Sequence, residues 1–426
     1  MNLPDDFIAT DQFKSAFDYI ENNDGPIFIT GNAGTGKSTF LQYYLENTKQ
    51  SPVVLAPTGV AAVNVGGATI HSFFRFPPRY QTLDSINYSR GWDFHSSLKV
   101  LIIDEISMVR ADMMDNIDIF LKKNIWHHNS DVELPFGGVK VIMIGDLRQL
   151  PPVVEPSLNS FFTKVYDSPF FFSAKVFEDA PIKTINLTHI FRQKDPVFIS
   201  VLNNVRDGKL TMSDAKILNT RVGKALSGNY IMLTTTNAVA DSYNQSAITK
   251  LETEPKLYRA NIEGDFDSKF YPTSEYLTLK VGAQVMILRN GGGYYNGTIC
   301  KVVQLHDDYV VVELDTEDDD IGRTIELRPV KWEKIEYDSE GDTISHRQVG
   351  TFTQLPIKLA WAITMHKSQG LTFDKVQIDF GKGSFAHGQT YVALSRCRSL
   401  EGISLRRPIM SRDIKFDSSV LHMGDK

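Results

Sequence analysis

Two cysteines, Cys300 and Cys397, are all that a chain of 426 residues contains. That is too few for a disulfide framework or a cysteine-based zinc site, and it fits a reducing cytosol. Long apolar runs are also lacking. The longest candidate, Val53 to Ile70, is broken by Pro57, Gly59, Gly66 and Gly67, well short of the roughly 20 apolar residues that a membrane helix needs. The opening Met1-Asn2-Leu3-Pro4-Asp5-Asp6 has neither the basic start nor the apolar stretch of a signal peptide. Positive charge is not in excess either: the net charge is −6. A strongly basic balance is the usual footprint of a nucleic-acid binder. A groove needs only local positive charge, however. Part of the acidic excess sits in one stretch, Glu313, Asp315, Glu317, Asp318, Asp319 and Asp320, which reads as a solvated turn. These absences lead us to expect a cytoplasmic protein with no membrane partner; a monomer is expected as well, though not from these absences.

What is present is an ordinary core-forming composition, 42% hydrophobic and 23% charged, at a length that suits two or three domains. From Ile27 to about residue 190, short β-branched runs alternate with helical spacing. Strands are expected at Ile27–Thr30, Val53–Ala56, Val100–Ile103 and Val141–Ile144, with helices over Lys37–Asn47 and Arg110–Lys123. This series predicts an α/β fold with a doubly wound parallel sheet over 1–184. Between Phe74 and Ser97 the pattern lapses: Pro77-Pro78, Tyr80, Tyr88, Trp92 and Phe94 sit among polar residues. We expect a small inserted lobe over 74–97. A second αβ block is expected over 185–249 and 357–426, with strands at Ile231–Thr234, Ala360–Thr364, Val376–Asp379 and Ile403–Leu405. Between them, 250–356 reads as short strands parted by Gly, Asp and Asn turns, which suggests a small inserted β-barrel.

The chemistry is concentrated in a few segments. Gly31-Asn32-Ala33-Gly34-Thr35-Gly36-Lys37-Ser38 follows a strand, precedes a helix and matches a P-loop. Its glycines let the backbone N–H groups of Gly31 to Ser38 approach phosphate oxygens, so Gly31, Ala33, Gly34, Thr35, Gly36 and the adjoining Thr39 are candidate ATP contacts. Lys37 would neutralise the β- and γ-phosphates, and Ser38 would bind Mg²⁺. Val100-Leu101-Ile102-Ile103-Asp104-Glu105 is an apolar run ending in two carboxylates. Asp104 would reach the Mg²⁺ shell and Glu105 would polarise the attacking water. Gln149, in Gly145-Asp146-Leu147-Arg148-Gln149, is suited to orient that water or the γ-phosphate. Near the end of the chain, Thr364-Met365-His366-Lys367-Ser368-Gln369-Gly370 precedes Ala393-Leu394-Ser395-Arg396-Cys397-Arg398. A second cationic stretch so far from the P-loop is what a motor needs if a distant domain is to sense the nucleotide. An arginine of that domain reaching the γ-phosphate would do so; Arg192 and Arg396 stand out for this only by the motifs around them.

Together these segments resemble superfamily-one DNA helicases, and most closely the petite-integration-frequency (PIF) family, a 5′-to-3′ subgroup. The resemblance rests on the P-loop, Ala56-Pro57-Thr58-Gly59-Val60-Ala61-Ala62, Thr69-Ile70-His71-Ser72-Phe73-Phe74, Asp104-Glu105-Ile106-Ser107-Met108-Val109, Gly145-Asp146 with Gln149-Leu150-Pro151-Pro152, Phe191-Arg192, Leu233-Thr234-Thr235-Thr236-Asn237, Thr364–Thr372 and Ala393–Arg398. It implies two RecA-like P-loop domains, with a wedge lobe in the first and a barrel in the second. It also implies an ATP- and Mg²⁺-dependent DNA helicase acting in replication, repair, recombination or telomere maintenance. Gln12 would read the adenine edge, Arg192 and Arg396 would reach the γ-phosphate, and Gln369 and Gly370 would sense ATP. Thr58, Gly59, His71, Phe73, Arg75, Thr234, Asn237, His366 and Lys367 would line a groove for single-stranded DNA, next to forked or tailed duplex. Hydroxyls and Lys367 suit phosphates, while Phe73 and the histidines suit bases.

A P-loop ATPase that remodels proteins, a nucleotide-switched binding module and an RNA-directed motor are the rival readings of the same residues. Glu105, Gln149 and the two arginines weigh against a non-hydrolysing switch.

Overall fold

The computed structural model describes residue 3 and residues 7–77, 80–87, 89, 92, 94, 97–125, 134–289, 294, 296–314, 323–340 and 343–425. Tyr88 of the expected lobe, and the acidic residues Asp315 and Glu317 to Asp320, lie outside them.

The first sheet has six strands: β1 (Ile27–Gly31), β2 (Val53–Ala56), β3 (Ala68–Thr69), β4 (Val100–Ile103), β5 (Lys140–Ile144) and β6 (Lys183–Leu187). Their order is β3-β2-β4-β5-β1-β6, and every pairing is parallel. β2, β4 and β5 are buried along their whole length, which is why they read as continuous apolar runs. Helices Asp11–Asn22 and Lys37–Asn47 supply one buried layer (Phe13, Ile20, Phe40, Tyr44), and Ala111–Asn124 supplies the other (Met114, Ile117, Leu121). β6 corrects the expected domain boundary. Its register with β1 runs from Lys183 opposite Ile27 to Leu187 opposite Gly31, so the strand through Ile185 completes the first sheet.

The region 74–97 is not a free-standing lobe. Trp92 and Phe94 are 2% and 6% exposed, with ring centroids 5.9 and 4.9 Å from Phe73, and Trp92 lies 5.1 Å from Phe120. These aromatics close the first domain's core. Among the described residues the segment contains one helical turn, Leu83–Ser85, and no hairpin.

β7 (Ile231–Thr234) opens a second sheet, and ten strands intervene before it resumes: β8 (Lys256–Arg259), β9 (Asn261–Gly264), β10 (Tyr276–Leu279), β11 (Gln284–Ile287), β12 (Ile299–Leu305), β13 (Val310–Leu314), β14 (Thr324–Leu327), β15 (Val330–Glu340), β16 (Thr343–Gln354) and β17 (Ile357–Leu359). They form three sheets rather than one small barrel. β14-β13-β12-β11-β17 is antiparallel and shares a core with the β8–β10 pair through Tyr258, Leu279, Val285, Val302, Val312 and Ile357. β15 and β16 form a long hairpin edged by β9, with its own small core around Trp332 and Phe352. The hairpin docks on the first domain: Tyr337 Oη accepts a hydrogen bond from Val54 N at 3.0 Å. β18 (Ala362–Thr364), β19 (Val376–Asp379) and β20 (Ile403–Leu405) then join β7 as a parallel sheet of order β18-β7-β19-β20. Past β20 the chain crosses back, and Val420 and Met423 enter the first domain's core.

Candidate active site

β1 delivers the chain to a loop whose shape only glycine permits at two places. Gly34 has φ +83°, and a Cβ there would lie 2.6 Å from Cβ of Arg192. Gly36, at φ +80°, opens helix Lys37–Asn47, which carries no acidic side chain in its first turn. A helix N-terminus in that setting attracts anions. Lys37 is folded over the loop, donating to Gly31 O at 2.8 Å and Asn32 O at 3.0 Å. Burial lowers its pKa, against the attraction of Asp146 and Glu105.

β4 ends at Asp104 and Glu105. Glu105 adopts a left-handed backbone (φ 50°), a strained conformation of the kind found at working sites. Its Oε2 accepts a hydrogen bond from Gln369 Nε2, a residue of the second domain, at 2.9 Å. Burial pushes both carboxyls above the usual range, and Asp104 adds to the push on Glu105. Asp146, after β5, behaves oppositely. Burial opposes its ionisation, but Arg206 and Lys37 outweigh it and hold the pKa low. This carboxylate accepts from Gln149 Nε2 at 3.1 Å and from Arg206 at 3.4 Å. Gln149 is therefore aimed by Asp146. Asp146 stands in a quoted motif, but its part in aiming Gln149 is visible only in the fold, and Arg206, a helix-end arginine, carries no spacing signal.

The opposite wall is arginine-rich. Arg192 Nη1 donates to Ser395 O at 3.1 Å, and burial brings its pKa down to about 9, with Arg396 adding repulsion. Arg396 is 1% exposed. Its guanidinium donates to Val392 O (2.9 Å), Leu371 O (3.2 Å), Ser368 O (3.4 Å) and Ser395 Oγ (2.9 Å). Burial brings it down to about 10. Ala33 N donates to Tyr391 Oη at 2.8 Å, and Asn32 Nδ2 to Asn203 Oδ1 at 2.8 Å, so the P-loop itself is bonded across the cleft.

These groups enclose one cavity of about 550 Å³. Of the residues picked from the sequence, Ala33, Gly34, Gly36, Lys37, Ser38, Thr39, Asp104, Glu105, Gln149, Arg192, Gly370 and Arg396 line it. Gly31 and Thr35 support the loop from behind, Thr35 through a hydrogen bond from Oγ1 to Asn32 O at 3.0 Å. Gln12 does not line the cavity: its amide is bonded to Asn186 O, Thr188 Oγ1 and Thr188 N. The far end of the cavity is apolar, walled by Phe7, Ile8, Phe13 and Phe191. Phe191 is half exposed and could cover a flat heterocycle. It was legible only as the neighbour of Arg192.

The candidate strand-binding residues divide. Thr58 is exposed and caps helix Gly59–Val65, accepting from Ala61 N at 3.3 Å, and Gly59 lies under the Phe270 ring of the inserted region. Arg75, Asn237 and Lys367 are exposed, and His71 and His366 are partly so. Phe73 and Thr234 are buried, at 7% and 1% exposure. Phe73 packs among Phe74, Phe94, Trp92 and Tyr337, and Thr234 Oγ1 donates to Thr236 O at 3.1 Å. Neither presents its side chain to a strand, which corrects that part of the sequence reading.

The PIF1-like helicase family matches residues 8–216. The chain is similar to the ATP-dependent DNA helicase PIF1 of Mus musculus, 33% identical over 423 residues that cover 93% of this chain and 59% of the relative. It thus spans about three fifths of the length of such relatives. The ATP-dependent DNA helicase Pif1 of Bdellovibrio bacteriovorus is 32% identical, with 96% and 90% of the two chains covered. Among solved structures, unliganded Pif1 from Bacteroides sp. is 39% identical with a TM-score of 0.89, covering 99% of this chain and 97% of that one. The Bacteroides Pif1 bound to single-stranded DNA, at the same identity and coverage, has a TM-score of 0.68.

Proposed function

The chain belongs to the PIF1-like helicase family, and from that premise we propose that it is an ATP-driven helicase that moves 5′ to 3′ on single-stranded DNA and opens forked or tailed duplexes. One observation carries this reading. The cavity is completed from both sides of a cleft, with Lys37, Glu105 and Gln149 on one wall and Gly370 and Arg396 on the other. A nucleotide there bonds both domains, so its hydrolysis changes how they are held. Lys37 and the helix N-terminus take the phosphate charge. Glu105 accepts a proton from the attacking water, with Gln149 aimed beside it. Arg192 and Arg396 stabilise charge developing on the γ-phosphate. Ser38 and Asp104 present hard oxygen ligands to the same cavity, which suits Mg²⁺ and would lower the cost of gathering phosphate charge.

The strand would cross the exposed segments of both domains at Thr58, Gly59, His71, Arg75, Asn237, His366 and Lys367. The lower TM-score of the DNA-bound Bacteroides protein supports a change of domain arrangement on binding DNA. We assign duplex splitting to the exposed residues Asp84, Ser85 and Asn87 of the 74–97 segment, and a guiding role to the inserted sheets. We propose a monomer that works in the cytoplasm, in replication, repair or recombination. Measuring ATPase with and without single-stranded DNA, alongside strand displacement on 5′- and 3′-tailed duplexes, tests the reading. Turnover indifferent to DNA, or equal unwinding from both tails, would overturn it.

A further inference from the structure

Three loops leave the C-terminal ends of neighbouring strands in the second sheet: Thr235 to Asn237 after β7, Met365 to Gly370 after β18, and Phe380 to Gly388 after β19. They meet, since a Cβ on Gly381 would lie 4.0 Å from Thr235 Oγ1. On the third loop Phe385 is 63% exposed. Its ring lies nearly parallel to that of His366, 17° between planes and 6.0 Å between centroids.

A single exposed aromatic is ordinary. This one stands on a pinned backbone. Phe385 N donates to Oε1 of the buried Gln389 at 3.0 Å, Ser384 Oγ and Thr390 Oγ1 are 2.8 Å apart, and Gly381 N donates to Asp379 Oδ1 at 2.8 Å. The loop is held from inside while the ring is held in water, with the exposed ammonium groups of Lys367 and Lys382 nearby in sequence. A rigid, wet π-face on loops that also carry exposed lysines suits one ligand class above others, a nucleic-acid base with its phosphates.

We propose that Phe385 and His366 form a base-stacking platform on the single-strand path, Phe385 offering the open face and His366 backing it. The proposal rests on the helicase reading above and adds a residue that its motifs do not supply. Burial lowers the pKa of His366. The ring is therefore neutral at pH 7 and acts as an aromatic surface, leaving phosphate to Lys367.

The test uses the whole chain, wild type and as Phe385→Ala, Phe385→Leu and Phe385→Trp, with single-stranded oligonucleotides carrying 2-aminopurine at successive positions. Wild type should quench one position more than its neighbours. Phe385→Ala and Phe385→Leu should weaken binding by roughly 5- to 150-fold, the range of one lost base stack. The salt slope should stay unchanged because no phosphate contact is lost. Thermal unfolding should also be unaltered, and Phe385→Trp should restore affinity and report binding by its own fluorescence. Affinity within twofold of wild type in Phe385→Ala, or a loss that lowers the salt slope, overturns the platform while leaving the helicase reading in place. Failure of the wild type to bind any of the oligonucleotides overturns both.

Discussion

Gln369 Nε2 donates to Glu105 Oε2 at 2.9 Å, and the two residues belong to different domains. On the function proposed above, the base that would accept a proton from water is thus held by a residue of the other domain. Opening the cleft by a few ångströms removes the bond. Glu105 then loses a donor that favours its charged form, together with the attraction of Arg396 on the same wall.

Gln369→Ala should therefore shift the pH profile. Glu105 works only when ionised, and its pKa already lies above the ordinary carboxylate range. Activity is lost as pH falls through that raised value. Removing a donor to the charged form raises it further, so the acid limb of kcat should move upward by about one pH unit, given about 1.5 kcal/mol for a charge-assisted hydrogen bond. Gln369→Glu should move it more, by like-charge repulsion. The limb is read from DNA-stimulated turnover between pH 5 and 9, and an unmoved limb in both variants would remove Gln369 from control of the base.

Lys37→Ala should abolish ATP hydrolysis while nucleotide-free DNA binding persists. Lys37 is the P-loop's own cation and donates to two of its carbonyls. Losing those two bonds costs the loop little, because Gly31 and Asn32 remain tied to the surrounding strand and to Asn203. Turnover near wild type would show that the cavity is not the hydrolytic site.

The two arginines should separate. Arg192 donates to a single acceptor among the described residues, Ser395 O, whereas Arg396 holds four. Arg192→Ala should bind ATP and hydrolyse it slower by about 10³-fold or more, with Tm nearly unchanged. Arg396→Ala should lose hydrolysis and also stability, by about 3 kcal/mol, because buried carbonyls are left unpaired. Arg396→Lys should not rescue it, since one ammonium cannot span the fork of acceptors. A threefold or smaller drop in turnover for Arg192→Ala would reduce it to a structural contact.

Much of this was legible. The P-loop, Asp104-Glu105 and Gln149 are read from the sequence because each combines a strand end with a residue type that phosphate chemistry demands, and Asp104, Glu105 and Gln149 line the cavity together with Ala33, Gly34, Gly36, Lys37 and Ser38 of the loop. Three things were hidden. β6 contains Lys183, Thr184 and Asn186 on a sheet edge, so it lacks the apolar run by which its neighbours announce themselves. β15 and β16 alternate polar and apolar residues like the strands before them, and only long-range packing shows that they leave that sheet for the first domain. Phe385 carries no periodic signal at all, since its role depends on a histidine that the fold brings alongside from another loop.

Lys367 and Thr234, both candidates for the proposed strand path, make a matched pair of opposite expectation. Lys367 is exposed and Thr234 is not. Lys367→Ala should weaken binding for every sequence and lower the salt slope by about one. Thr234→Val should leave the slope alone and show only a small loss of stability from its bond to Thr236 O. The slopes come from titrations at several salt concentrations, and a reversed pattern would mean that β7 turns its hydroxyl outward when the protein binds DNA.

Phe73 decides between core and groove. Motif position makes it a base-stacking candidate, yet its ring is 7% exposed and lies 4.9 Å from Phe74, 4.9 Å from Phe94 and 5.8 Å from Tyr337. A side chain so enclosed contributes through packing: Phe73→Ala should cost about 3–5 kcal/mol, the usual loss for a buried aromatic. Because Tyr337 belongs to the inserted hairpin, part of that loss should appear as loosened docking of β15 and β16, seen as faster amide exchange along Trp332 to Tyr337. Phe73→Leu keeps an apolar side chain in place and gives up the flat ring. If Phe73 is core, Phe73→Leu should lower Tm by a few degrees and bind single-stranded DNA as wild type does. A variant that keeps its Tm and loses tenfold or more in affinity would return Phe73 to the groove, and would require the Phe73–Tyr337 contact to open when DNA binds.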